Sequence, residues 1–107
     1  MAKKHVEIIV RKYVVALKAQ NIKVKKAILF GSYARGQAND DSDIDIAIIS
    51  PDLGKNYLKE AVLLKKISQI VDLDISPRPY SVEEYQKAIQ GQFLYDEIIC
   101  KGKSIEE

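Results

Sequence analysis

The residues best able to do chemistry lie between Gly31 and Asp45: two glycines, an arginine and four aspartates, set between apolar runs at 27–30 and 44–49. Each run has the length and β-branched content of a buried strand. In Asp43-Ile44-Asp45-Ile46 the strand period of two sends both carboxylates out of one face. Two unpaired carboxylates so close repel, and each raises the other's pKa. A cation between them removes the conflict. Oxygen-only ligands favour a hard ion, and Mg²⁺ in particular uses one or two carboxylates together with substrate phosphates. At the near end Gly31-Ser32 follows a strand and opens a short helical turn, offering backbone N–H groups and a hydroxyl to phosphate. A phosphate cradle joined to metal carboxylates points to nucleotide chemistry.

Around this loop the elements read in order. Val6, Ile9, Val10, Tyr13, Val14 and Leu17 fall on one face of a helix over 3–20, with Lys4, Glu7, Arg11, Lys12 and Lys18 on the others. His5, near its start, reads as a solvated surface residue. A strand over 25–30 precedes the loop, Asn39-Asp40-Asp41 forms a polar turn, and Ser42 fixes that turn before the second strand. A helix over 56–69 turns Tyr57, Ala61, Leu64 and Ile67 inward, with Leu58 and Ile70 as further inward candidates. Residues 70–76 alternate apolar and acidic positions with strand period, and Pro77 ends the run. Ser81 with Glu84 matches a capping box opening a helix to about 89. A last helix spans 92–101 with Gly102 as its C-cap, and 103–107 is a frayed tail.

The 107 residues suit one domain, 1–107, with a modest core. Seventeen basic against 15 acidic residues leave +2, so nothing in the net charge calls for direct nucleic-acid binding. The single cysteine, Cys100, excludes an internal disulfide and reads as a small packed residue in a reducing cytoplasm. No apolar run reaches membrane-spanning length, and Glu7, Arg11 and Lys12 interrupt any signal-peptide core.

Gly31-Ser32, ten residues, then Asp43-x-Asp45 resembles the signature of the nucleotidyltransferase superfamily related to DNA polymerase β. The fuller pattern Gly31-Ser32-x-Ala34-Arg35-Gly36, ending in Ser42-Asp43-x-Asp45, resembles the minimal nucleotidyltransferases, the MNT proteins. The match is close over about half the chain, residues 26–77. The resemblance implies an α/β (α+β) fold with a small mixed β-sheet and helices packed on one face. It implies transfer of AMP, or another NMP, from ATP or another NTP to an acceptor hydroxyl. Asp43 and Asp45 would hold two Mg²⁺ ions, and Gly31 and Ser32 the β- and γ-phosphates. Arg35, one turn beyond Ser32, would reach either the triphosphate or an acid of the protein.

Relatives of this kind carry a third carboxylate on a neighbouring strand. Asp72 and Asp74 both fit, on one face of the expected strand, and Asp72 is preferred for its distance to the closing proline. The plainer reading makes both solvent-facing acids of an edge strand. Many MNT proteins pair with a helical HEPN partner as toxin–antitoxin modules and attach AMP to its tyrosine. The resemblance therefore implies a cytoplasmic antitoxin acting on a HEPN-type protein, and leaves a homo-oligomer open. Two alternatives are a non-catalytic module that neutralises or scaffolds a partner by contact, and nucleotidylation of a small molecule or RNA end.

Overall fold

Strand β2 (Ile44–Ser50) carries apolar residues on both faces, and from Ile46 onward every side chain is buried. Such a strand must lie inside a sheet covered on both sides. The computed structural model describes residues 5–39 and 42–105. Asp40 and Asp41, expected as turn formers, and the outer ends of the first helix and the tail lie outside them. Four strands form the sheet in the order β3-β2-β1-β4. β1 (Lys26–Phe30) runs antiparallel to β2 and to β4 (Lys103–Ile105), whereas β3 (Ile75–Ser81) runs parallel to β2. The sheet is therefore small and mixed, as expected. Residues 103–105, read above as tail, form its second edge.

One face holds Ala27, Leu29, Ile44, Ile46, Ile48 and Ile75 against α1 (Val6–Ala19) and α2 (Tyr57–Val71). Helix α1 buries Val10, Tyr13, Val14 and Leu17, the predicted stripe, and the Tyr13 hydroxyl donates to the Leu64 carbonyl at 2.7 Å. Asn56 caps α2 by accepting from the Lys59 amide. The opposite face is also covered. Ile28, Phe30, Ala47 and Ile49 pack there against Leu94 and Ile98 of a π-helix, Leu94–Ile99. Helix α3 (Val82–Gln86) lies beside it, shorter than expected, and its capping box forms between Ser81 and Glu84. Cys100, at the π-helix end, is exposed rather than packed.

The third strand corrects the sequence reading. Residues 70 and 71 complete α2, Asp72 is its C-cap, and β3 begins only at Ile75. The strand then runs through Pro77 and Pro79 instead of stopping. Ile44 donates to the Asp74 carbonyl, and Ile44 pairs with Ile75. In a parallel ladder of that register the even-numbered β3 residues donate to β2, and the odd ones turn their N–H positions to the open edge. Pro77 and Pro79 occupy odd positions, where no donor is required. Among the described residues no helix is long and apolar enough to cross a membrane.

Candidate active site

Asp43 immediately precedes β2 and Asp45 is its second residue, on the face that carries Ala47 and Ile49 further along. Asp43 is exposed and Asp45 half-buried. The Asp45 carboxyl is pushed above its ordinary value, first by burial and then by the Asp43 charge; the Arg78 and Arg35 charges oppose the rise. Those two acids meet the expectation of one shared face, and their mutual repulsion is the condition that a bound cation relieves.

The loop after β1 brings its glycine against Asp45. Gly31 adopts φ +72, and a β carbon there would overlap the Asp45 carboxylate. No helix follows Ser32. Residues 31–36 form tight turns instead, with Arg35 donating to the Gly31 carbonyl at 3.1 Å and Gln37 to the Ser32 carbonyl at 2.9 Å. Among the described residues, the Ser32 hydroxyl and the Ser32 and Ala34 amides are not spent on hydrogen bonds. Unspent donors in a turn are the groups that an anion site uses. Ser42 closes the loop: its amide donates to the Asn39 carbonyl at 3.1 Å, and its Oγ accepts from the Asn39 amide at 3.0 Å. Arg35 lies 3.8 Å from Glu97 of the π-helix and donates to Gln37, so of its two expected roles the intramolecular acid is engaged.

Asp72 does not join the pair on a strand. It caps α2, and its Oδ1 accepts from the Asp74 amide at 2.8 Å. Asp74 comes closer in register, immediately before Ile75 and so beside Asp43. Opposite Asp45 itself stands Ser76. Among the described residues no three acids, histidines or cysteines gather closely enough to hold a metal ion together. Asp43 and Asp45 fit the Mg²⁺ mode of two carboxylates plus substrate phosphates; among the described residues no third carboxylate joins them.

Two residues of β3 stand near Asp45: Ser76, which the sequence reading did not single out, and Arg78. In the sequence Arg78 belongs to a stiff connector over 77–80, where a surface role outweighs a place near the site. Continuing period two from Ile75 through both prolines is the signal that places Ser76, Arg78 and Tyr80 on the Asp45 face. Phe93 lies under the Arg78 guanidinium, 4.6 Å from ring centroid to Cζ.

The family model described as Polymerase beta, Nucleotidyltransferase matches residues 12–107. A Methanocaldococcus jannaschii protein named "Putative protein adenylyltransferase" is 36% identical over 87 residues, covering 78% of this chain and 82% of that protein. A chain of a toxin–antitoxin complex crystallised with AMP-PNP superposes with a TM-score of 0.64 at 26% identity, covering 94% of this chain and 72% of the other. A chain from the complex of the tri-AMPylated Shewanella oneidensis HEPN toxin with MNT antitoxin gives a TM-score of 0.60 at 22% identity. That match covers 94% of this chain and 71% of the other and is a likeness of fold.

Proposed function

Because this chain belongs to the polymerase beta nucleotidyltransferase family, we propose that it attaches AMP from ATP to a hydroxyl of a protein partner in an Mg²⁺-dependent reaction. The acceptor is a tyrosine of a HEPN-type toxin, and the chain serves as the antitoxin of the pair. One observation carries the reading: Asp45, two residues from Asp43 at strand spacing, sits against Gly31 at the start of the loop that holds the Ser32 hydroxyl. The named relatives and the complexed neighbours support the acceptor class.

In this reading the Ser32 hydroxyl and the loop amides hold the β- and γ-phosphates. Asp43 and Asp45 hold the ion, which when bound supplies neutralising charge to the phosphates and the leaving pyrophosphate. The acceptor hydroxyl gives up its proton to solvent, its oxygen forms a bond to the α-phosphorus, and the bond to pyrophosphate breaks, releasing pyrophosphate. With little covalent chemistry asked of the protein, positioning and charge account for most of the rate. The half-buried Asp45, close against Gly31, fixes the distance between ion and phosphate loop.

A second reading, a module that neutralises its partner by contact, is favoured by the absence of a three-acid group among the described residues. The outer side of α2 suits such contact, with Leu58, Val62 and Ile70 all more than 60% exposed. Incubation with α-labelled ATP, Mg²⁺ and a co-expressed HEPN-type partner separates the two. Label on the partner with the intact chain, and none with Asp43→Ala/Asp45→Ala, supports transfer. Equal neutralisation by both versions without label supports contact.

A further inference from the structure

One charged group beside the carboxylates is used by neither the proposed ion nor the phosphate loop. Arg78 lies in β3 on the sheet face of Asp45, two residues beyond Ser76, the register partner of Asp45. Its guanidinium stacks on Phe93 at 4.6 Å. Phe93 in turn meets Phe30 edge-on, with centroids 6.0 Å apart and planes at 80°, and Phe30 is the partner of Asp45 across β1 and β2. Two aromatic rings thus fix where this cation stands. Stacking occupies the flat face of a guanidinium and leaves its in-plane N–H fork available. Among the described residues Arg78 makes no ion pair and no side-chain hydrogen bond, unlike Arg35, which is turned to Glu97.

The strand order decides what that fork faces. Gly31 and Ser32 leave β1 on one side of the carboxylate strand, and Arg78 stands on β3 at the other. On the transferase reading, with the β- and γ-phosphates on the loop at the β1 side, the α-phosphate falls on the β3 side of Asp43 and Asp45. A carboxylate opposite Asp45 would repel that group; this chain has neutral Ser76 there and a cation two residues on. Resting on the transferase reading, we infer that Arg78 binds the α-phosphate of the nucleotide, holding the group to be transferred from the β3 side. A planar donor fork suits two phosphoryl oxygens at once.

Titration of the intact chain with AMP-PNP, AMP and pyrophosphate, each with Mg²⁺, tests this without turnover. Arg78→Met is expected to weaken AMP-PNP and AMP by about tenfold or more, the loss of one charged hydrogen bond, and to leave pyrophosphate unchanged. Arg78→Lys, which keeps the charge but not the fork, falls between. Equal AMP-PNP and AMP affinities in wild type and both variants overturn the assignment, as does an equal loss for pyrophosphate, which would mark a general field. If the wild type binds none of the three, the transferase reading falls and Arg78 with it. Thermal midpoints of both variants within a few degrees of wild type keep the comparison one of binding, and Arg78→Lys alone decides if Arg78→Met does not fold.

Discussion

A β carbon on Gly31 would overlap the Asp45 carboxylate, with Oδ2 its nearest atom and Cγ 3.1 Å away. The loop after β1 and the Asp45 carboxylate therefore touch, and only a residue without a side chain, at φ +72, permits the contact. Gly36 has nearly the same φ, +70, yet its missing side chain would meet nothing within 4 Å. The two glycines separate backbone strain from site geometry.

Gly31→Ala is expected to lower stability by about 1–2 kcal/mol through left-handed strain and to reduce AMP transfer by roughly a hundredfold through displacement of Asp45. Gly36→Ala carries the strain alone and keeps transfer within a few-fold of wild type. Thermal melts and labelled-ATP assays on both variants check the pair. Equal losses of activity would mean that the Gly31 contact does not set the site.

Asp43→Ala and Asp45→Ala should each reduce transfer by more than about a hundredfold, because both remove charge that holds the ion. Their effects on stability differ from their effects on activity. The Asp45 pKa is raised in the folded chain, so the folded state holds its proton longer than the unfolded one. Stability then falls as pH rises from the ordinary aspartate range through the raised value, and stays reduced above it. Asp45→Asn removes that cost. Without metal at neutral pH it should melt higher than wild type, by up to about 1 kcal/mol after solvent screening. A lower midpoint for Asp45→Asn would contradict the electrostatic account of the pair.

The elements that frame the site were legible because they follow single local rules. The α1 stripe obeys helical spacing, Ser81 and Glu84 meet at capping-box spacing, and the doubly apolar 44–49 run lies centrally in the sheet. What failed depended on partners distant in sequence. Pro77 and Pro79 are tolerated only because β3 is an edge strand in one particular register, and no local rule reports which edge is open. The same register decides that Ser76, and neither Asp72 nor Asp74, faces Asp45. Residues 103–105 form a strand only because β1 offers them an edge. The contact of Gly31 with Asp45 joins two ends of a loop that sequence reading could place only one at a time.

Ser76→Asp places a carboxylate opposite Asp45, where the register leaves a hydroxyl. Three acids then crowd one point, so the metal-free chain should melt lower than wild type, and Mn²⁺ should bind about tenfold more tightly or better as the added ligand offsets the repulsion. Calorimetric Mn²⁺ titration and melts with and without metal read both effects. Asp72→Asn serves as the comparison, since its Oδ1 still accepts from the Asp74 amide. Its midpoint and Mn²⁺ affinity should match wild type. A large loss of metal affinity in Asp72→Asn would restore Asp72 as the third ligand.

Glu60, in the first turn of α2, supplies a second pH dependence of stability. Burial pushes its pKa up, but the amides of Asn56, Gly54 and Lys55 all donate to its carboxylate at 2.8–3.0 Å and bring it below the ordinary glutamate value of 4.5. These three donors precede the first turn of α2, where a negative charge also meets the helix N-terminus. A lowered folded pKa contributes stability that is complete above the unfolded value and is lost as pH falls through the folded one. Glu60→Gln keeps an acceptor oxygen and loses the charge, so it should cost about 0.5–1 kcal/mol at pH 7. Below the folded pKa both chains carry a neutral group, and their melting curves should converge. A gap between wild type and Glu60→Gln that persists unchanged to strongly acidic pH would show that the side chain acts through shape alone, and the three backbone bonds would then carry no charge-dependent stability.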